Sequence, residues 1–184
     1  MNDGNYKIIF AGPVGAGKTT AIASLSDEPP VTTDEAATDM TTSRKPKTTV
    51  AMDYGIMKLA DGQRIHLYGT PGQERFDFMW EILVKGGIGL VLLIDATRAS
   101  PVQDMRFFLD AFRTFVEDTG VVIGITRGDM APAFAPADLH EALAHAGLYV
   151  PVFTVDARSR ADVQTLVKAL LYSLDPELDE RAVA

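Results

Sequence analysis

Short apolar runs alternate with amphipathic stretches along most of the chain, a rhythm that predicts an α/β layered domain. Tyr6 to Ala11 is a strand candidate running into a Gly-rich turn, and Lys18 to Leu25 reads as the helix that follows. Val50 to Leu59 and Arg64 to Tyr68 flank Ala60-Asp61-Gly62-Gln63, a hairpin-like turn. Gly89 to Ile94 and Val121 to Ile125 are nearly all apolar, which suits central strands covered on both faces. Pro151 to Val155 is a shorter segment of the same kind. Met105, Phe108, Leu109, Phe112, Phe115 and Val116 recur at three and four and form one helical stripe. Val163, Leu166, Val167, Leu170, Leu171 and Leu174 form another, and a weaker helix runs from Pro136 through Leu139 and Leu143 to a C-cap at Gly147. Stripes of this kind are core-packing faces first, whatever else they do. Ser26 to Lys47 breaks the rhythm: it is rich in Thr, Asp and Pro, and a loop of that length inside a compact domain is usually functional or disordered. The tail from Asp175 to Ala184 is polar and is expected to fray.

At 184 residues and nearly half apolar, the chain suits one domain with a sizeable core. Residues 1–174 are expected to form that domain and residues 175–184 its tail. The formal net charge of -8, with Arg44, Lys45 and Lys47 as the one basic cluster, argues against nucleic-acid binding, which needs basic surface to displace counterions. The absence of cysteine excludes disulfides and thiolate metal sites and fits a reducing cytoplasm. The start of the chain lacks signal-peptide order, the longest apolar run (Ile88 to Ile94) is too short to cross a bilayer, and the end lacks a prenylation signal, so no direct membrane insertion is expected. His66, His140 and His145 have no metal-ligand spacing.

The strongest chemical signal is Gly12-Pro-Val-Gly15-Ala16-Gly17-Lys18-Thr19, a gapless G-x-x-x-x-G-K-[ST] between a predicted strand and a predicted helix. Glycines let the backbone curl so that successive N–H groups face an anion, and the helix adds its positive end. Gly15, Ala16, Gly17, Lys18, Thr19 and Thr20 are therefore the candidate phosphate set. Lys18 is placed to reach the β- and γ-phosphates, and the Thr19 hydroxyl to ligate Mg²⁺. A plain Gly-rich turn is the competing reading, and the strand–helix context argues against it. The motif specifies phosphate binding only, since kinases, ATPases and GTPases all use it.

Further motifs narrow the choice. Tyr68-Gly69-Thr70-Pro71-Gly72-Gln73-Glu74-Arg75-Phe76 resembles the switch II signature of Ras-like GTPases, Asp-Thr-Pro/Ala-Gly-Gln-Glu-Arg/Lys-Phe in the Rab and Arf branches. The resemblance implies that the Gly72 N–H approaches the γ-phosphate and that Gln73 orients the attacking water. Thr49-Val-Ala-Met-Asp53 resembles switch I, with Thr49 as the second hydroxyl on Mg²⁺ and Thr48 as its neighbouring alternative. Thr126-Arg127-Gly128-Asp129 stands where the family has Asn-Lys-x-Asp, which implies that Asp129 accepts hydrogen bonds from guanine and Arg127 covers the base with its stem. Asp156-Ala157-Arg158 stands at the Ser-Ala-Lys position, with the Ala157 N–H facing the guanine carbonyl. The match is nearest to prokaryotic Ras-like GTPases, some encoded beside roadblock/LC7-type regulators. It implies a three-layer P-loop NTPase fold: a six-stranded mixed sheet, strand two antiparallel, with helices on both faces.

Two residues depart from the pattern. Gly69 replaces the aspartate that supports Mg²⁺, and Asp53 and Asp95 are the possible substitutes, Asp95 reading more simply as a strand-end residue. Thr126 replaces an asparagine, and one hydroxyl cannot bond on two sides as an amide does, so weaker guanine binding is expected. Arg44 and Arg75 are candidate arginines in cis for hydrolysis, each more often a solvated side chain. Phe76, Phe78, Met79, Trp80, Ile82 and Leu83 exceed what one helix face can bury, which implies a partner surface beside switch II. The leading expectation is a GTP/GDP-binding, Mg²⁺-dependent GTPase switch with Gln73 and Lys18 as catalytic residues and a partner for fast turnover. A nucleotide-binding interaction module with negligible turnover is the alternative, and an ATP-using kinase or ATPase with Asp95 as its acidic residue ranks third.

Overall fold

The computed structural model describes residues 5–32, 52–60, 62–72 and 77–174. Seven strands, β1 (Asn5–Ala11), β2 (Val31–Thr32), β3 (Asp53–Lys58), β4 (Arg64–Gly69), β5 (Gly89–Asp95), β6 (Val121–Thr126) and β7 (Val152–Thr154), form one sheet in the order β2-β3-β4-β1-β5-β6-β7. Strands β4, β1, β5, β6 and β7 run parallel, and β3 is antiparallel to β4. Six strands make up the expected mixed sheet; the two-residue β2 adds a short edge paired with Tyr54 and Asp53. The helices are α1 (Lys18–Leu25), α2 (Asp77–Leu83), α3 (Pro101–Ala111), α4 (Arg113–Asp118), α5 (Pro136–His145) and α6 (Arg160–Leu174).

Alternation along the buried strands sorts the core into two layers. Ile8, Phe10, Leu67, Val91 and Leu93 face α1 and α6, where Ile22, Leu25, Val163, Leu166 and Leu170 meet them. Ile9, Leu90, Leu92, Ile94, Ile123 and Ile125 face the other way, against Trp80, Met105, Phe108, Phe112, Leu139 and Leu143. Both stripes read from the sequence are thus core faces. The first is divided: Phe112 leaves helical geometry at φ -102°, ψ 13°, between α3 and α4. That departure lays its ring on Trp80, with centroids 5.1 Å apart and planes 23° from parallel.

Beyond β2 the outer edge of β3 is closed by a side-chain device. Ile56 N–H donates to Ser26 Oγ at 3.0 Å, Lys58 N–H to Asp27 Oδ2 at 2.7 Å, and Asp27 N–H to Ile56 O at 2.7 Å. Arg160 holds Asp27 from α6 at 2.7 Å, so the edge strand has few free groups to pair with another chain.

The switch II helix divides as its composition implied. Trp80 is buried, packs on Phe107, Phe108 and Phe112, and donates its indole N–H to Pro71 O at 3.1 Å. Ile82 is 62% exposed on the same helix. Phe76 and the tail 175–184 lie outside the described residues. Among the described residues no helix is long and apolar enough to cross a membrane.

Trp80 links α2, the aromatic cluster and the turn that leads into switch II. Trp80→Ala is expected to lower unfolding stability by about 3–5 kcal/mol, the usual loss for a buried large aromatic. Urea denaturation followed by circular dichroism checks this; a loss below about 1 kcal/mol would show that the cluster does not hold α2.

Candidate functional site

The sheet order reverses at β1, which lies between β4 and β5, and ligands of open parallel sheets bind outside the strand carboxyl ends at such a point. The phosphate loop leaves β1 here. Gly12 has φ 140°, and a Cβ on it would stand 2.1 Å from Leu93 O, so glycine alone lets the loop lie flat on β5. At the far end of the loop, an added Cβ on Gly17 would come 3.0 Å from Ala157 Cβ. Lys18 is buried, and its ammonium donates to Gly12 O at 2.8 Å and Pro13 O at 2.9 Å. Burial lowers its pKa to about 8, the charge of Arg98 adds to the lowering, and Asp53 opposes it.

Thr126 is buried at the end of β6, and its hydroxyl donates to Ala16 O at 3.0 Å, with Ile94 O at 3.4 Å. The residue that departs from the family pattern therefore still ties the base side of the site to the phosphate loop. Arg127 follows in the left-handed region at φ 56°, the one non-glycine residue to do so among those described. Its guanidinium pairs with the buried Asp95, whose other oxygen accepts from Thr97 N–H at 2.9 Å and Thr97 Oγ1 at 2.6 Å. Both oxygens of Asp95 are thus engaged, which supports reading it as a strand-end anchor and disfavours an acidic residue poised for Mg²⁺.

Asp156 and Arg158 form an exposed ion pair at 2.7 Å. Hydrogen bonds from the Arg158 side chain, and then from its backbone N–H, hold the Asp156 pKa down to about 2. Asp162 fixes this turn from α6, accepting from Asp156 N–H and Ser159 Oγ at 2.9 Å each. Asp129 lies on the 3-10 turn Gly128–Met130; the Arg158 pKa is raised first by its hydrogen bond to Asp156 and further by the charge of Asp129. A cleft of about 510 Å³ gathers these pieces, with Ala16, Gly17, Thr20, Thr126, Arg127, Asp129, Asp156, Ala157 and Arg158 on its walls.

The phosphate end holds the second departure. Asp53 on β3 stands opposite Gly69 on β4. A Cβ on Gly69 would lie 3.0 Å from both Asp53 Cβ and Asp53 Oδ2. The carboxylate of Asp53 thus reaches into the space a side chain at 69 would take, where Thr19 Oγ1 donates to it at 2.6 Å. Gly72 comes closer still to the loop: a Cβ there would be 2.6 Å from Val14 N and 2.8 Å from Lys18 Nζ. Beside it the Thr70 hydroxyl is buried without a hydrogen-bond partner among the described residues. Gly15 has φ 83°, and Thr19 and Thr20 stand in the first turn of α1; Gln73, Thr49, Thr48, Arg44 and Arg75 lie outside the described residues. The sequence reading passed over Arg98, Asp104, Thr97 and Asp162, and these act through side-chain partners that spacing alone did not single out.

Fold and cleft together define a class: a P-loop domain built on the plan of the Ras-like GTPases. The chain belongs to the family described as "Conserved hypothetical ATP binding protein", whose model matches residues 10–132. It is 31% identical over 104 residues to the uncharacterized protein MJ1339 of Methanocaldococcus jannaschii, a match covering 56% of this chain and 60% of that one. This chain therefore spans under two thirds of that relative's length. It is 25% identical over 191 residues to the Ras-related protein Rab-27A of Homo sapiens, covering 93% and 80% of the two chains. The G domain of the T. maritima FeoB iron transporter shares the fold at 20% identity, with a TM-score of 0.62 over 91% of this chain and 97% of that domain.

Thr126→Val keeps the shape of the residue and removes the bond to Ala16 O. The expected loss is about 1–2 kcal/mol of unfolding stability, because a buried carbonyl is left unpaired. Urea unfolding measures it, and an unchanged midpoint would mean that the hydroxyl does not anchor the loop.

Proposed function

We propose that this chain is a guanine-nucleotide switch that binds GTP and GDP with Mg²⁺ and hydrolyses GTP to GDP and phosphate. The observation that carries the reading is the single cleft in which the phosphate loop, Thr126–Asp129 and Asp156–Arg158 converge. In this reading Gly15, Ala16, Gly17, Lys18, Thr19 and Thr20 hold the phosphates. Asp129 accepts from the base, the Arg127 stem covers it, and the Ala157 N–H faces its carbonyl. The family description names ATP, whereas the Rab relative and the G-domain fold favour GTP. Asp129 is the residue that decides between them, because an acceptor carboxylate suits the N–H donors of guanine.

The residues present fit Mg²⁺. It takes oxygen ligands, keeps several waters and needs one or two carboxylates plus phosphate oxygens. Among the described residues no cluster of three or more acidic or histidine side chains exists to cage a metal alone. Thr19 Oγ1 and the adjacent Asp53 carboxylate supply a hydroxyl and one carboxylate beside the phosphate loop. Asp53 would then do from β3 what the missing residue at 69 does in the family pattern, and Thr49 would add the second hydroxyl. When bound, the metal neutralises charge on the phosphate oxygens. Lys18, released from Gly12 O and Pro13 O, would move its ammonium onto the phosphates; Gln73 would orient water, and the Gly72 N–H would meet the γ-phosphate. Switch II, with the exposed Ile82 beside it, is the proposed surface for regulators and effectors, a roadblock/LC7-type protein among them, in the cytoplasm.

The test is a titration of the protein with GTP, GDP, ATP and xanthosine triphosphate in Mg²⁺. GTP and GDP should bind well ahead of ATP, and Asp129→Asn should shift preference from GTP toward xanthosine triphosphate. ATP binding ahead of GTP overturns the guanine reading.

A second expectation concerns pH. Bound phosphate favours the ammonium form of Lys18, whereas burial among the chain's own atoms lowers its pKa to about 8. Below that value the free protein is already charged; above it a proton must be taken up on binding. Affinity for GTP should therefore fall about ten-fold as pH rises from about 7 to about 9. Calorimetric titration in two buffers of different ionisation enthalpy reads both the loss and the proton uptake, and flat affinity with no uptake would place Lys18 away from the phosphates.

A further inference from the structure

Hydrolysis by this kind of site is slow unless an arginine neutralises charge on the transferring phosphoryl group. The loop between β5 and α3 lies beside the phosphate loop. β1 and β5 are adjacent and parallel, with Ala11 opposite Leu92, so both chains leave the sheet at the same edge. Gly12 lies on Leu93 O, two residues before β5 ends, so the β5–α3 loop leaves the sheet next to the phosphate loop. This β5–α3 loop carries Arg98, whose N–H donates to Asp95 O at 3.3 Å. Its side chain donates from both Nε and Nη2 to Asp104 in the first turn of α3, yet remains 41% exposed. Its positive charge is felt at Lys18.

The other arginines near the cleft are placed differently. Arg127 and Arg158 line the base side, the first held by Asp95 and the second by Asp156. Arg160 is tied to Leu25 O and Asp27 at the end of α1. Among the described residues, Arg98 is the arginine whose loop abuts the phosphate loop. An exposed ion pair such as Arg98–Asp104 is weak, and a multiply charged phosphoryl group competes for the same guanidinium with stronger, bidentate hydrogen bonds.

We propose that Arg98 is a cationic arm in cis, parked on Asp104 in the empty protein and drawn onto the phosphoryl group during hydrolysis. The proposal rests on the guanine-nucleotide reading above. The arm forms no covalent bond and takes no proton. It balances negative charge on the phosphoryl oxygens while the water oxygen bonds to phosphorus, the bond to the GDP oxygen breaks with its electron pair leaving on GDP, and the water's proton passes to the released phosphate.

The test uses GDP affinity, single-turnover GTP hydrolysis, and capture of fluoroaluminate by the GDP-bound protein without any partner. Fluoroaluminate mimics the transferring phosphoryl group, so its capture reports charge complementarity independently of turnover. The wild-type protein should capture it unaided. Arg98→Ala should abolish capture and slow hydrolysis about 1,000-fold or more, the lower end of what such an arginine contributes, while GDP affinity stays within about two-fold. Arg98→Lys should recover part of both. Asp104→Asn, which frees the arm, should retain or raise both. If Arg98 were only a clamp for α3, Arg98→Ala and Asp104→Asn would act alike. Equal capture by wild type and Arg98→Ala, no capture by wild type, or loss of capture in Asp104→Asn overturns the arm. A wild-type protein that binds no GDP overturns the function reading itself, which separates the two failures.

Discussion

The phosphate loop must stay hollow while every atom around it is packed, and the structure meets this constraint by gripping the loop from outside. Gly12 lies on the Leu93 carbonyl, Ala16 O is held by the Thr126 hydroxyl, and Gly17 abuts Ala157. Each grip comes from the carboxyl end of a different strand or the turn beyond it. On the inside, Lys18 donates to the loop's own carbonyls at Gly12 and Pro13. A buried ammonium needs such partners, because burial disfavours its charge.

The same economy of space governs the end of the loop beside β3 and β4. β3 and β4 pair so that Asp53 faces Gly69, and there is room for one side chain between them. A carboxylate at both positions would set like charges against each other in that space. The glycine at 69 is therefore the complement of the aspartate at 53. The hydrogen bond from Thr19 to Asp53 joins the two halves of this arrangement, since Thr19 belongs to the helix that follows the phosphate loop. On the base side, Asp95 and Arg127 neutralise each other at the strand ends and leave Asp129 exposed on the cleft wall.

Much of this was legible in the sequence where the information is local. Apolar runs such as Gly89 to Ile94 marked the central strands because both faces of β5 are buried. The phosphate loop was legible because its spacing is enforced by the ring of N–H groups it must form. The stripe through Phe112 was read correctly as core but not as two helices, since periodicity carries past a single residue whose dihedral angles break the helix. Gly69 could be recognised as a departure, but choosing Asp53 over Asp95 required strand register and the knowledge that Asp95 is saturated by Thr97 and Arg127. Thr126 was expected to weaken the site, and the hydroxyl's bond to Ala16 O is a contact between residues far apart in sequence. Arg98 is not singled out by the sequence for a related reason: its loop is ordinary in composition, and only the pairing of β1 with β5 puts that loop at the same sheet edge as the phosphate loop.

The most direct test of this account is Mg²⁺-dependent GDP binding compared among the wild type, Asp53→Gly, and the exchanged pair Asp53→Gly/Gly69→Asp. A carboxylate that has moved between facing strands predicts that Asp53→Gly loses the Mg²⁺ dependence and that the exchange restores it. Full Mg²⁺ dependence in Asp53→Gly would contradict it, because the carboxylate beside Thr19 would then have no part in holding the metal.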